Sequence, residues 1–169
     1  MALIIRSSAI HAAGCYTTTP IANGTPIVEY TGERITKDAA DIKYENLPIT
    51  YLFGIGDGST VIDGFGTAMF INHSCDPNCE TEEEDGRVWI MAIRDIAAGE
   101  ELTYDYHLYD GDESAARCHC GAKACRGTMY APEEMERRIR KAKKEARAAA
   151  RALEAAQKTI GKKTVVKRT

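Results

Sequence analysis

No apolar run in the 169-residue sequence approaches the ~20 residues a membrane-crossing helix needs. Nor does the sequence open on a charged stretch followed by a continuous apolar one, the pattern of a secretion signal. These two absences lead to the expectation of a soluble, intracellular protein with no membrane partner, cytoplasmic in a bacterium and nuclear or chromosomal in a nucleated cell. Without a secretion signal, the six cysteines (15, 75, 79, 118, 120 and 125) are read as reduced thiols or metal ligands, not as a disulfide framework. No internal repeat is found, which excludes a repeat array.

The length and the 44% hydrophobic content suit one domain with a real core plus an appendage. The net charge of −3 conceals an asymmetry on either side of Pro132. Residues 1–132 carry 9 Lys/Arg against 20 Asp/Glu, whereas residues 133–169 carry 13 against 5. An acidic body suits a basic ligand such as a lysine-rich peptide. The basic tail 133–169 suits nucleic acid or another acidic surface, the body included.

Over the first hundred residues, ALIIR, PIVEYTGE, TYLFGIG, STVID, AMFI, RVWIMAI and EELTYDY are short runs rich in Val, Ile, Tyr and Thr, broken by turn formers. They predict short strands and a mainly β body. TKDAADIKYEN at 36–46 predicts one short helix, with Thr36 and Asp38 at its start. The acidic EEED at 82–85 is read as a solvated hairpin turn. Beyond Pro132, PEEMERRIRKAKKEARAAARALEAAQKTIG predicts a long helix with Pro in its first turn and Glu after it, and the final KKTVVKRT is expected to fray.

CHCGAKAC at 118–125 places Cys118, Cys120 and Cys125 around a Gly-containing turn that lets three sulfurs converge. A structural zinc takes four N or S ligands from protein, so a fourth must come from elsewhere. Cys75, in the turn that follows the apolar start of FINHSCDPNC (70–79), is the best candidate. His119 is the rival, although it lies between two ligands, and a small buried thiol is the bland alternative for Cys75. Cys15 and Cys79 are expected to stay free. A nucleophilic His73/Cys75 pair is disfavoured, because residues two apart on an extended segment point the same way without being set up for a hydrogen bond.

NHSCDPN at 72–78, GEELTYDY at 99–106 and CHCGAKACRG at 118–127, with IHAAGCY at 10–16 and EYTGE at 29–33 before them, resemble the SET domain with its post-SET zinc motif. The resemblance covers about residues 5–130, in the family's order. It implies a β-clip of small curved sheets with a pseudoknot, in which the NHSC segment and the C-terminal segment pass one another. The implied division is a SET domain over 1–109, a post-SET segment over 110–130 and a helical tail over 131–169. The implied activity is S-adenosylmethionine-dependent methyl transfer to a lysine of a basic protein such as a histone, by a compact stand-alone enzyme.

Position by position, the resemblance puts His11, Ala13 and Gly14 in the cofactor loop and Tyr51 beside the cofactor and lysine channel. It puts Asn72 and His73 on the cofactor, His119 over its adenine, and one structural zinc on Cys75, Cys118, Cys120 and Cys125. Tyr106 falls at the catalytic tyrosine, and Tyr104 at the position that tunes how many methyls are added, here favouring one. Asp105, between them, is expected to face away. The sequence departs from the family pattern at Ala12–Ala13, where Gly–Arg is common, at Met69, where Arg is frequent, and in a short insert over 34–60. The competing expectation is a catalytically weak, zinc-stabilised module that docks on nucleic acid or an acidic partner through its tail. These motifs carry no oligomeric state.

Overall fold

The computed structural model describes the chain except for residues 1, 48–49, 112, 115 and 166–169, with backbone only at 155–156 and 158–165. In chain order the elements are β1 (Leu3–Ser7), β2 (Ala13–Thr17), β3 (Pro26–Glu29), β4 (Gly32–Thr36), α1 (Lys37–Tyr44), β5 (Leu52–Ile55), β6 (Thr60–Gly64), β7 (Asn72–His73), β8 (Cys79–Glu84), β9 (Arg87–Ala92), β10 (Thr103–Tyr104) and α2 (Pro132–Val165). They form two compact units: Met1–Tyr106 with Gly111–Met129, and His107–Asp110 with Tyr130–Thr169. The first unit is mainly β, in three small sheets, as expected.

Two of the sheets are local. β1 pairs antiparallel with β2, and β4, β6 and β5 make a three-stranded antiparallel sheet with β6 in the middle. α1 starts where Thr36 caps it, its side chain accepting the Ala39 N–H at 3.2 Å. That is the cap expected from the sequence.

PIVEYTGE does not stay one strand. β3 joins β9 and β4 joins β6, with Tyr30 and Thr31 between them. Tyr30 turns inward at this break, buried against Phe53, and its hydroxyl donates to the Tyr51 carbonyl at 2.9 Å. AMFI is also corrected: Thr67–Phe70 is a 3-10 turn entered from Gly66 at φ 132°, a backbone state that a strand cannot continue. In the EEED segment, Glu82–Glu84 belong to β8 and the hairpin turn is Asp85–Gly86, at φ 50° and 72°. Two residues of positive φ match the right-handed twist of the strands they join.

The five-stranded sheet has the order β3-β9-β8-β10-β7. β10 lies parallel to both of its neighbours, with Thr103 opposite Asn72, and Tyr104 opposite His73 on one side and Cys79 on the other. A late strand inserted between two earlier ones requires the NHSC and TYDY segments to cross, as the resemblance implies. Ile71, Val88, Ile90, Ile96 and Leu102 are fully buried in the core around this crossing.

In the second unit α2 begins at Pro132 with Glu133 and Glu134 in its first turn, as expected. Buried Glu134 accepts from Arg137 and Arg138 at 2.7 and 2.6 Å, and the Arg138 guanidinium lies 4.0 Å from the Tyr130 ring centre. The helix runs to Val165, so 162–165 of the stretch expected to fray are helical, and 166–169 lie outside the described residues. Among the described residues no helix is long and apolar enough to cross a membrane.

The Tyr30–Tyr51 contact leaves no room at Gly64, where a Cβ would lie 2.6 Å from the Tyr30 hydroxyl and 2.7 Å from the Tyr51 carbonyl oxygen. Gly64→Ala is therefore expected to destabilise the fold by about 1–3 kcal/mol in thermal or denaturant unfolding. Unchanged stability would contradict this packing.

Candidate active site and metal centre

The sulfurs of Cys75, Cys118, Cys120 and Cys125 lie within 4.8 Å of one another. Cys118 Sγ is 3.7 Å from Cys75 Sγ and 3.6 Å from Cys125 Sγ. A tetrahedral ion with metal–sulfur bonds of ~2.3 Å spaces its ligands by ~3.8 Å, whereas a disulfide needs ~2.05 Å. Each sulfur also accepts a backbone N–H: Cys75 from Arg126 (3.4 Å), Cys118 from Cys120 (3.4 Å), Cys120 from Cys75 (3.5 Å) and Cys125 from Gly127 (3.4 Å). Such donors stabilise thiolates, the form that binds metal. At Cys120 burial opposes ionisation, but the N–H groups of Cys75 and Ala122 and the thiols of Cys118 and Cys125 outweigh it and bring the thiol below its ordinary range. The donor set fits a metal ion.

Cys15 and Cys79 are fully buried elsewhere, and burial pushes their thiols up to about 11 and about 12. None of the six cysteines forms a disulfide. The four-sulfur cluster contains Cys75 and not His119, which is exposed.

His73 joins this cluster to the tyrosine strand. Its Nδ1 accepts the Tyr106 N–H at 3.1 Å, which leaves the ring proton on Nε2, 3.4 Å from Cys75 Sγ. The expectation that His73 and Cys75 would not be set up for a hydrogen bond is thus overturned. The extended run ends at His73, where Ser74 N–H donates to the Tyr104 carbonyl at 3.1 Å, and the chain bends at Cys75–Asp76, returning the sulfur to the ring. The contact is made to a sulfur of the four-cysteine cluster, where it suits orienting a metal ligand better than activating a nucleophile.

A second connection runs through Arg126. Besides its N–H to Cys75, its guanidinium makes a two-pronged pair with Asp105, at 2.7 and 2.8 Å. This pairing fixes Asp105 between the two tyrosines.

The Tyr106 hydroxyl donates to the Ile71 carbonyl at 3.0 Å, and its ring lies 4.8 Å from that of Tyr104 and 5.3 Å from that of His73. Burial first, and neighbouring Tyr51 next, push the Tyr106 phenol well above its ordinary value, and burial does the same at Tyr104. Both stay protonated at neutral pH. With its proton given to Ile71, the Tyr106 oxygen can offer lone pairs to a cation or an amine but cannot act as a base. Tyr51 is half-buried, with its ring 6.5 Å from that of Phe70.

On the other side of Asn72, its amide donates to the Ala13 carbonyl (2.9 Å) and to the Glu101 carboxylate (2.8 Å). Glu101 also accepts from the hydroxyls of Ser8 and Tyr16, each at 2.8 Å. A Cβ on Gly14 would lie 2.2 Å from Glu101 Oε1, so glycine makes room for the carboxylate. His11 is exposed at the end of the β1–β2 loop. The structure thus gathers Ala13, Gly14 and Asn72 around one carboxylate, and His73, Tyr104 and Tyr106 around one ring cluster. Sequence reasoning missed Glu101, Arg126 and Asn78. The first two stand inside the quoted GEEL and CRG patterns, and Asn78 inside FINHSCDPNC, but nothing in those letters says which residues they meet.

The family model described as SET domain matches residues 12–107. A histone-lysine N-methyltransferase, H3 lysine-4 specific, from Candida albicans is 44% identical over 136 residues, covering 72% of this chain and 13% of the relative. Its namesake from Saccharomyces cerevisiae is 44% identical over 136 residues, covering 72% and 12%. Histone-lysine N-methyltransferase ATX2 of Arabidopsis thaliana is 39% identical over 148 residues, covering 80% and 14%. The chain spans only about an eighth of the length of these relatives.

Metal analysis of the purified chain is expected to find about one divalent ion bound per molecule, lost in Cys75→Ser together with several degrees of melting temperature. A metal-free chain of undiminished stability would contradict the cluster. At Ala12, φ is 24°, in the region that favours glycine. Ala12→Gly is expected to raise stability by roughly 1 kcal/mol in denaturant unfolding, and a loss would show that the loop has another constraint.

Proposed function

Because the chain belongs to the SET domain family, we propose that it is an S-adenosylmethionine-dependent protein-lysine N-methyltransferase acting on a basic, histone-like substrate. The observation that carries this reading is the half-buried Tyr106, whose hydroxyl is anchored on Ile71 and whose backbone is anchored on His73. The names of the relatives, which specify lysine 4 of histone H3, support a lysine-bearing histone tail as the substrate class. The deficit of positive charge over residues 1–132 suits such a ligand. A histone substrate would place the protein in the nucleus of a eukaryote. We assign 1–109 to the SET domain, 110–130 to the post-SET segment and 131–169 to the tail.

The cofactor's amino-acid end carries an ammonium and a carboxylate. The Ala13 carbonyl and the Glu101 carboxylate offer acceptors for the first, and Asn72, whose two amide N–H bonds serve these two groups, holds them in place. Gly14 makes room for that carboxylate, while His11, Tyr51, His73 and His119 complete the proposed cofactor set. S-adenosylmethionine, when bound, supplies an electrophilic methyl on a sulfonium.

The chain must present a lysine as the neutral amine, against an ordinary pKa of ~10.4. Burial around Tyr104 and Tyr106 disfavours the ammonium by desolvation, so the lysine gives its proton to water before or during entry. The Tyr106 oxygen then accepts a hydrogen bond from the amine and aligns its lone pair. As nitrogen gains positive charge, the same lone pairs stabilise it. Zinc on Cys75, Cys118, Cys120 and Cys125 would hold the post-SET segment and would take no part in the transfer. The weak-module reading is less favoured, because the tyrosine pair and its supports are intact.

Incubation of the chain with S-adenosylmethionine and histone H3 is expected to yield methylated lysine by mass spectrometry, at a rate reduced about 100-fold or more in Tyr106→Phe. Transfer undiminished in that variant would sink the mechanism. Tyr104→Phe is expected to shift the products from monomethyl-lysine toward di- and trimethyl-lysine. An unchanged product distribution would remove Tyr104 from product control.

A further inference from the structure

α2 carries a seam with no role in the proposed chemistry. Met135, Ile139, Ala142, Ala146, Ala149 and Leu153 follow one another at intervals of 4, 3, 4, 3 and 4 residues, and the sequence continues the pattern at positions 156 and 160. This is the heptad spacing of a coiled-coil face. Ile139 is 49% exposed and Leu153 62%. The helix's basic residues at 137, 140, 141, 144, 147 and 151 all fall at the outer positions of the heptad.

We propose that α2 pairs with α2 of a second copy of this chain as an antiparallel coiled coil, its twofold axis passing between Ala146 and Ala149. Three features of the sequence register select this occupant. First, the seam complements itself when reversed: Leu153 faces the partner's Ala142, Ala146 faces the partner's Ala149, and Ile139 faces position 156, an alanine in the sequence. A large residue opposite a small one in the Leu153–Ala142 and Ile139–156 layers evens the separation there, and the paired alanines at the centre allow closer approach.

Second, the parallel alternative stacks Leu153 on the partner's Leu153 between alanine-only layers, so wide and narrow layers would alternate. It also sets Arg138 beside the partner's Lys143, on both flanks of the seam. In the antiparallel register Lys143 instead flanks the partner's Ala150, and Glu145 the partner's Ala152, with no like-charge pair. Third, the overlap is 26 residues, a contact about 39 Å long. A patch that complements itself is what a twofold dimer requires, and the basic faces stay in water on the outside of the pair.

The test uses the full chain in sedimentation equilibrium over roughly 1–500 μM. The wild type is expected to dimerise, and Leu153→Ala to weaken the dimer at least about tenfold without loss of helix by circular dichroism, because it empties two layers at once. The double variant Ala142→Leu/Leu153→Ala exchanges large and small within the same layers and is expected to recover wild-type association. Direction is read from Lys143→Glu, which is expected to leave the antiparallel dimer within a few-fold of wild type, whereas marked strengthening would show a parallel pair in which position 143 meets the partner's Arg138 and would overturn the proposal. A monomer at all concentrations, including one that binds a labelled DNA duplex instead, would overturn the proposal. So would a dimer indifferent to Leu153→Ala, or a double variant that stays as weak as the single one.

Discussion

Thr103 and Tyr104 sit between two segments that precede them by some thirty residues, and the side chain of Asn78 holds them there. Its carbonyl oxygen accepts the Thr103 N–H at 2.9 Å and its amide donates to the Glu101 carbonyl at 2.8 Å, so one buried amide grips the entering strand at two points. Leaving the buried Thr103 N–H without a partner would cost about 1–3 kcal/mol. With β10 so placed, Tyr106 reaches Ile71 with its hydroxyl and His73 with its N–H, and His73 reaches Cys75. The geometry of the tyrosine cluster follows from a strand insertion that no hairpin could produce, since a hairpin gives only antiparallel neighbours.

The segment from Arg117 to Thr128 lacks the means to order itself by burial. It contains the isolated bridge Arg117–Thr128 and no strand of its own, and most of its side chains are exposed or half-buried. Four sulfurs, each receiving an N–H, take over the role a core would play. Because one of those sulfurs belongs to Cys75, order in this segment is tied to His73, and because Arg126 lies next to Cys125, it is tied to Asp105. FINHSCDPNC therefore contributes to three structures at once: Ile71 anchors the tyrosine hydroxyl, Asn72 reaches the Ala13 carbonyl, and Cys75 enters the four-sulfur cluster.

Much of this is legible in the amino-acid sequence alone. Strands with alternating or β-branched apolar residues, the Thr36 cap, the Pro132 helix start and the convergence of Cys75 on the C-terminal cysteines all have local or spacing signals. The failures share a physical reason: the deciding partner is remote or the local pattern is atypical. β2 is hidden in HAAGCY, whose glycine and alanines have weak strand preference and which is held by its register with β1. β8 reads CETEEE, poor strand material that is held by its register with β9. AMFI has the composition of a strand, yet Gly66 sets a different path. Glu101 and Arg126 look like ordinary charged residues in the sequence, because their significance lies in Ser8, Tyr16 and Asn72 for the one and in Asp105 for the other.

The proposed methyl transfer requires that Asn72, Ala13 and Glu101 form the floor of a cofactor site next to a tyrosine that handles lysine. Calorimetric titration of S-adenosylmethionine into the full chain tests that requirement most directly. Saturable binding at about one molecule per chain is expected, abolished in Asn72→Ala while the melting temperature shows that the variant remains folded. Absence of binding to the folded wild-type chain would contradict it.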